Sequence, residues 1–323
     1  DEFDVATFVD RSLFEHQKKL NGQLETVVKP LSNYSNGLWT SFQTWKSRIP
    51  DNGHELNSKL IFADSKPRKE DYATARLPYS LEDGTPDAWG RLIGVLYDED
   101  ARRKLEWLIG SIVAGDSKRI QKFAVLYGPP GSGKSTVLNI LELLFQGYTT
   151  TFDAGALGSK TDQFATSSLG KSSLVAIDQD GDLSRIETNG LLNSVVAHET
   201  ILINEKGVRR YPKRINALLF IGTNKPVKIT DSKSGIIRRL IDISPTGETV
   251  GADEYQTLIT QIRDELGKIA NHCLGVYRSL GKHYYDAYKP QDMMLRTNVL
   301  YNFVEENYLL FKEEKYVSLT MAY

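Results

Sequence analysis

Residues Gly128 to Ser135 read GPPGSGKS, and few octapeptides restrict a fold so strongly. They satisfy the pattern G-x-x-x-x-G-K-[ST], a glycine-rich turn whose backbone N–H groups converge on phosphate oxygens. The flanks agree. Lys122 to Tyr127 (KFAVLY) is a short apolar run that reads as a buried strand, and Val137 to Phe145 (VLNILELLF) is apolar, helix-prone and free of Gly and Pro. Strand, loop and helix in this order predict a nucleotide-binding stretch of Gly128, Pro129, Pro130, Gly131, Ser132, Gly133, Lys134, Ser135 and Thr136. Glycine lets the backbone curl, and the helix beginning near Ser135 adds its positive end to the same spot. Lys134 is positioned to reach the β- and γ-phosphates of ATP, and the Ser135 hydroxyl to ligate Mg²⁺.

Around this loop, apolar strands alternate with helical segments. Tyr148–Phe152, Leu174–Ile177, Ala217–Gly222 and Leu240–Ile243 read as strands, and Ile186–His198 as a helix. That alternation predicts an α/β fold: a parallel sheet in three layers, with its ligand at the strands' carboxyl ends. Thr200–Ile203 and Val208–Tyr211 flank NEKG and read as a β-hairpin turning at Gly207. Elsewhere the spacing predicts helices over Val5–Leu24, Leu38–Ile49, from Asp87, over Ala101–Ile112, Tyr255–Tyr277 and Pro290–Phe311, with Pro67–Asp87 an irregular connector. The domain boundaries expected are 1–105 for a mixed, mainly helical region, 106–250 for the core, and 251–323 for a helical subdomain.

The 323 residues hold 40 Lys+Arg against 41 Asp+Glu, so any affinity for nucleic acid must be local. The single cysteine, Cys273, suits a reducing, cytoplasmic compartment. Five scattered histidines show no zinc spacing, and no apolar run reaches membrane-spanning length. The opening Asp1 and the ending YVSLTMAY read as cuts in a longer chain.

Asp178 closes the strand LVAID, where a carboxylate beside the phosphate-loop strand can hold Mg²⁺ through its water shell. The next residue, Gln179, can orient water but cannot take its proton. Either Asp180 acts as the base or hydrolysis is slow; alternatively Asp180 and Asp182 cap a turn around Gly181. Asn224 follows ALLFIGT, placed either to contact the γ-phosphate or to open a turn before Lys225-Pro226. Lys206, Arg209, Arg210, Lys213 and Arg214 surround Tyr211 in the one strongly basic stretch, read as a contact for single-stranded DNA. Arg238 and Arg239 precede the last strand, and an arginine there can serve a neighbouring copy's γ-phosphate.

In order, GPPGSGKS, LVAID, INEKGVRRYPKRINALLFIGTN and GIIRRLIDI resemble four motifs of the superfamily 3 helicases. These are the AAA+ ATPase portion of viral, phage and plasmid primase-helicases. The similarity extends over roughly residues 67 to 311. It implies a P-loop AAA+ core with flanking helical domains, using ATP and Mg²⁺. Lys134 and Ser135 then bind phosphate and metal, Asp178 is the second-motif acid, and Lys206 is the hairpin lysine on single-stranded DNA. Asn224 is the sensor and Arg239 the trans-acting arginine, with Arg238 the alternative. The resemblance also implies a homo-oligomeric, six-membered ring moving 3′ to 5′ in a host-cell cytoplasm, with a primase or polymerase domain or subunit as partner. Two other classes compete: an initiator or loader ring that uses ATP mainly to assemble, and an ATPase that acts on protein.

Overall fold

A computed structural model describes residues 13–20, 23–30, 56–66, 68, 71–184, 186–228 and 235–297. The chain divides into two units, Asp1–His54 and Glu55–Tyr323. In the first, β1 (Leu13–Leu20) and β2 (Gln23–Pro30) pair antiparallel, Leu20 opposite Gln23. This corrects the helix expected over Val5–Leu24 wherever that segment is described. Only a few apolar residues carried the helical spacing, whereas Asn21-Gly22 between the strands is the dipeptide that two-residue hairpins favour. Leu38–Ile49, the other helix expected here, lies outside the described residues.

The second unit is built on a five-stranded sheet. Its strands are β3 (Phe123–Tyr127), β4 (Thr149–Thr151), β5 (Val175–Asp178), β8 (Leu218–Thr223) and β9 (Leu240–Ile243). They run in the order β4-β5-β8-β3-β9, every neighbouring pair parallel. A parallel sheet is covered on both faces, so its strands are apolar throughout rather than alternating. Ala124, Leu126, Ile177, Phe220 and Ile243 pack into one core; Phe123, Val125, Ala176, Leu219 and Ile221 pack into the other. Full burial of a side chain such as Phe220 is worth roughly 1.5–3 kcal/mol.

The first core is covered by α1 (Asp87–Leu96), α2 (Glu99–Val113), α3 (Lys134–Leu144), α6 (Ala252–Asp264) and α7 (Leu266–Leu280). The second takes residues from α4 (Ala154–Leu157), α5 (Gly190–Val196) and Met293 of α8 (Gln291–Arg296). Three layers result, as the alternation predicts, in a P-loop ATPase-like core. A separate antiparallel pair, β6 (Thr200–Ile203) and β7 (Tyr211–Arg214), forms the hairpin. The helix expected over Tyr255–Tyr277 is broken into two at Glu265, whose carboxylate accepts from Ala88 N at 3.0 Å. Of the helix expected over Pro290–Phe311, the described part is α8. Among the described residues no helix is long and apolar enough to cross a membrane.

Helices α2 and α7 approach so closely that a Cβ on Gly110 would stand 2.0 Å from Cys273 O. Beside this contact the buried Glu106 accepts from Trp89 Nε1 at 3.1 Å and Arg102 Nε at 2.8 Å, with His272 Nε2 at 3.2 Å. Burial pushes its pKa up, but the bonds from His272, Arg102 and Trp89 prevail and hold it below the usual carboxylate range. Glu106→Ala strands a buried indole N–H, the Arg102 guanidinium and the His272 ring. It is expected to lower stability by about 2–3 kcal/mol, read as an earlier urea midpoint at unchanged slope.

Candidate nucleotide-binding site and basic hairpin

The loop leaves β3 at Tyr127 and enters α3 at Lys134. Gly133 is the first residue outside the helix, with φ +89°, and a Cβ there would meet the Leu96 side chain at 2.9 Å. Only glycine satisfies both constraints. Ser132 Oγ donates to Pro129 O at 2.8 Å and closes the turn. Among the described residues, the backbone N–H groups from Gly131 to Thr136 donate to no protein acceptor. Consecutive orphan donors at a helix start are the group that triphosphate oxygens satisfy.

Lys134 is 8% exposed, and its Nζ donates to Gly128 O at 2.8 Å and Pro129 O at 2.7 Å. Burial pushes its pKa down; the negative charge of Asp180 works the other way. Asp180 is therefore near enough for its charge to act on the loop lysine. Ser135 is exposed in the first turn of α3, and Thr136 Oγ1 lies 3.4 Å from the Tyr255 hydroxyl.

Asp178 does end a strand, but that strand is not beside the phosphate-loop strand. β8 stands between them, which corrects the adjacency expected from the sequence. Two strand spacings are about 10 Å, so a water shell is the natural bridge from Asp178 to a metal at Ser135. Asp178 is half-buried; Oδ2 accepts from Ala154 N at 2.7 Å and Oδ1 from Asp180 N at 3.2 Å. Burial raises its pKa despite these two bonds.

After Asp178 the chain tucks over β8, Gly181 N donating to Gly222 O at 2.8 Å. Asp182 is committed to structure: it accepts from Ser184 N at 2.9 Å and pairs with Lys225 Nζ at 2.6 Å. Lys225 and Ser184 hold its pKa down to about 2. Asp180 is different. Its carboxylate is exposed and accepts no hydrogen bond among the described residues. Gln179 Nε2 donates to Asn139 Oδ1 at 3.0 Å, one turn along α3 from Ser135, while its buried Oε1 has no partner among the described residues.

Asn224 is exposed at the carboxyl end of β8, between the phosphate loop and the Asp178 strand. The turn at Lys225-Pro226 is closed by Thr223, whose Oγ1 accepts from Lys225 N at 3.1 Å. That leaves the Asn224 amide without a turn to hold.

One part of the site has no signal in the motifs. Leu92 and Leu96 of α1, the loop, and Thr249, Val250 and Tyr255 enclose a cleft of about 260 Å³. The segment after β9 shapes it: Thr246 N donates to Leu96 O at 2.9 Å, and Pro245 fills the space where a Gly128 Cβ would be. A Gly- and Thr-containing connector leaving a buried strand at its carboxyl end was the available clue.

In the hairpin, Ile203 pairs with Tyr211, so the second strand starts three residues later than expected and Val208 lies in the loop. This divides the basic residues. Lys213 Nζ turns inward to Gly170 O and to Ser172 Oγ at 3.1 Å, and Arg214 Nε donates to His198 O at 2.9 Å. The Tyr211 hydroxyl donates to Glu205 at 2.6 Å. Lys206, Arg209 and Arg210 are the basic residues exposed on the connecting loop, beside Gly207 with φ +79°, while Arg214 is exposed on β7.

The paired arginines sit at the other end of the sheet. Phe123 N donates to Arg239 O at 2.9 Å, so both stand at the amino end of β3, whose carboxyl end carries the loop. Arg239 is 7% exposed and bonds Gly235 O at 3.1 Å and Asn193 Oδ1 at 3.3 Å in its own chain. Arg239, the residue preferred as the trans-acting arginine, is thus mostly buried and bonded within its own chain, while Arg238 beside it is exposed.

A family of unknown function, DUF5906, matches residues 126–239, the stretch from the phosphate-loop strand to the paired arginines. No curated protein sequence matches. An A-form apo structure of the NrS-1 C-terminal region is 15% identical, covers 94% of this chain and 75% of that one, and has TM-score 0.53. A second apo structure of that region (305–718) gives 15%, 97%, 80% and 0.50. The JCV helicase is more distant, with 14% identity, coverage of 70% and 64%, and TM-score 0.34. At these identities the first two establish a shared fold.

Proposed function

We propose that this chain is an ATP-driven, ring-forming DNA helicase of the superfamily 3 type, acting on single-stranded DNA during replication of a phage or other mobile element. One observation carries the reading. The sheet puts Lys134, Asp178 and Asn224 at one end and Arg238 at the other, where its own loop cannot use it. Two copies in head-to-tail contact bring the two ends together, and repetition of that contact closes a ring. The orphan N–H groups and Lys134 bind the triphosphate. Ser135 and Asp178 fit Mg²⁺, which when bound neutralises charge on the β- and γ-phosphates. Asp180, whose charge acts on Lys134, is the general base; Asn224 orients the γ-phosphate, and Arg238 stabilises the charge that develops on it. Lys206, Arg209 and Arg210 grip the DNA backbone.

Forked-duplex unwinding by the assembled protein tests this, with 3′ to 5′ movement expected. The triple variant Lys206→Ala, Arg209→Ala, Arg210→Ala is expected to bind single-stranded DNA at least about tenfold more weakly, with a shallower salt dependence. Unchanged DNA affinity would favour a motor acting on protein. A loader or initiator ring is the second reading, favoured by Gln179, a neutral amide fastened to Asn139 where a carboxylate would speed hydrolysis. DNA-stimulated turnover separates the two: a motor accelerates on single-stranded DNA and a loader need not.

A further inference from the structure

At the amino end of the sheet a cleft of about 330 Å³ is lined by Arg119, Lys122, Arg238, Arg239, Lys282 and His283, with Asp286 the one acid in its lining among the described residues. Residues distant in sequence converge here: the turn Ser117–Arg119, the starts of β3 and β9, and the segment after α7. Arg119 pairs with Asp116 at 3.6 Å, and the one acid does not balance the remaining cations. Asp286 Oδ2 is taken by His283 Nδ1 at 2.7 Å. Lys122 Nζ donates to the backbone carbonyls of Arg238 and Asp286. The buried Arg239 keeps an Nε with no partner among the described residues. The side chains of Arg238 and Lys282 also have no hydrogen-bond or ion-pair partner among them. Burial, then Arg238, pushes the pKa of Arg239 down; burial also lowers that of Lys122, where the charge of Asp286 works the other way and Arg239 adds to the lowering. Such a cluster is stabilised by an anion.

We infer that this cleft is a phosphate site completed between two copies, in which Lys282 joins Arg238 on the γ-phosphate of the adjoining copy's triphosphate. This rests on the nucleotide reading above. The chain's own triphosphate is out of reach, since β3 alone separates the cleft from the loop by roughly 16 Å. A sheltered pocket of forked guanidiniums and an ammonium suits a terminal phosphate better than a passing strand of DNA. The backbone around Lys282 is fastened on both sides. Gly281 O accepts from Trp107 Nε1 at 3.0 Å, and Tyr285 packs edge-on against Trp107 at 5.1 Å between ring centres. Through Lys282 the C-terminal helices, as well as the core, respond to the neighbour's nucleotide.

Mixing variants tests this. Lys282→Ala is expected to lower ATP turnover of the assembled protein by about tenfold or more, with Lys282→Arg retaining most of it. Lys134→Ala chains keep an intact cleft and are expected to raise turnover severalfold when mixed with Lys282→Ala chains. Wild-type turnover in Lys282→Ala, no rescue on mixing, or a defect confined to single-stranded DNA binding overturns the inference. A wild-type protein without turnover, or Lys134→Ala with it, defeats the nucleotide reading itself and this site with it.

Discussion

Lys134→Ala is expected to lower ATP turnover by at least about a thousandfold and to remove measurable ATP binding at micromolar nucleotide. The lysine is the one charged side chain within the loop, and its amine already sits against two loop carbonyls with 8% of the residue exposed. A triphosphate exchanges those carbonyls for its own oxygens, a trade of neutral acceptors for charged ones in a sheltered place, where it is strongest. The fold should survive the change. A lysine whose pKa is lowered by burial costs stability wherever it is charged, which is at every pH below that lowered value. Lys134→Met keeps the apolar stem and removes that cost, so it is expected to melt no earlier than wild type while binding no ATP. Calorimetric titration with ATP and a thermal melt check both halves. Turnover within tenfold of wild type would mean that the loop holds something other than a triphosphate.

Local chemistry made the loop and the strands legible. GPPGSGKS declares its own geometry because glycine and lysine are needed at fixed spacing. The apolar runs gave β3, β5, β8 and β9 to within a residue at each end. The order of those strands was not legible, because nothing in LVAID says that β8 will slide between it and the phosphate-loop strand; crossover packing decides that. Val208 looked like a strand residue on apolarity, but the Ile203–Tyr211 pairing leaves it in the turn. In Arg238-Arg239, which neighbour points inward depends on the short turn at Ile236, where Arg239 N donates to Ile236 O at 2.9 Å. The cleft beside the loop draws on residues from Leu92 to Tyr255, so no window of sequence contains it. Val5–Leu24 failed differently: a weak helical period was preferred to the stronger Asn-Gly turn signal.

Asp180→Asn is expected to lower the rate of ATP hydrolysis by about a hundredfold with little change in ATP affinity, because it removes a proton acceptor rather than a ligand. Of the acids that follow the β5 strand, Asp182 is committed to Lys225 and Ser184, while Asp180 is exposed, unbonded among the described residues and close enough to oppose the lowering of the Lys134 pKa. Gln179→Ala is expected to cost less, about tenfold, since its amide can only orient water. Asp178→Asn belongs to another class: it weakens Mg²⁺ retention and loosens the turn that Ala154 N and Asp180 N hold, so turnover should fall by about a thousandfold and respond to added Mg²⁺. The acid limb of the pH profile separates the two roles. Burial raises the pKa of Asp178, so it takes up a proton at a higher pH than an ordinary aspartate as the solution is acidified. At limiting Mg²⁺, wild-type turnover should therefore begin to fall above the usual carboxylate range, and saturating Mg²⁺, which favours the ionised form, should move that fall to lower pH. A wild-type rate in Asp180→Asn would leave the proton without an acceptor on this strand and turn the balance toward a ring that binds ATP to assemble.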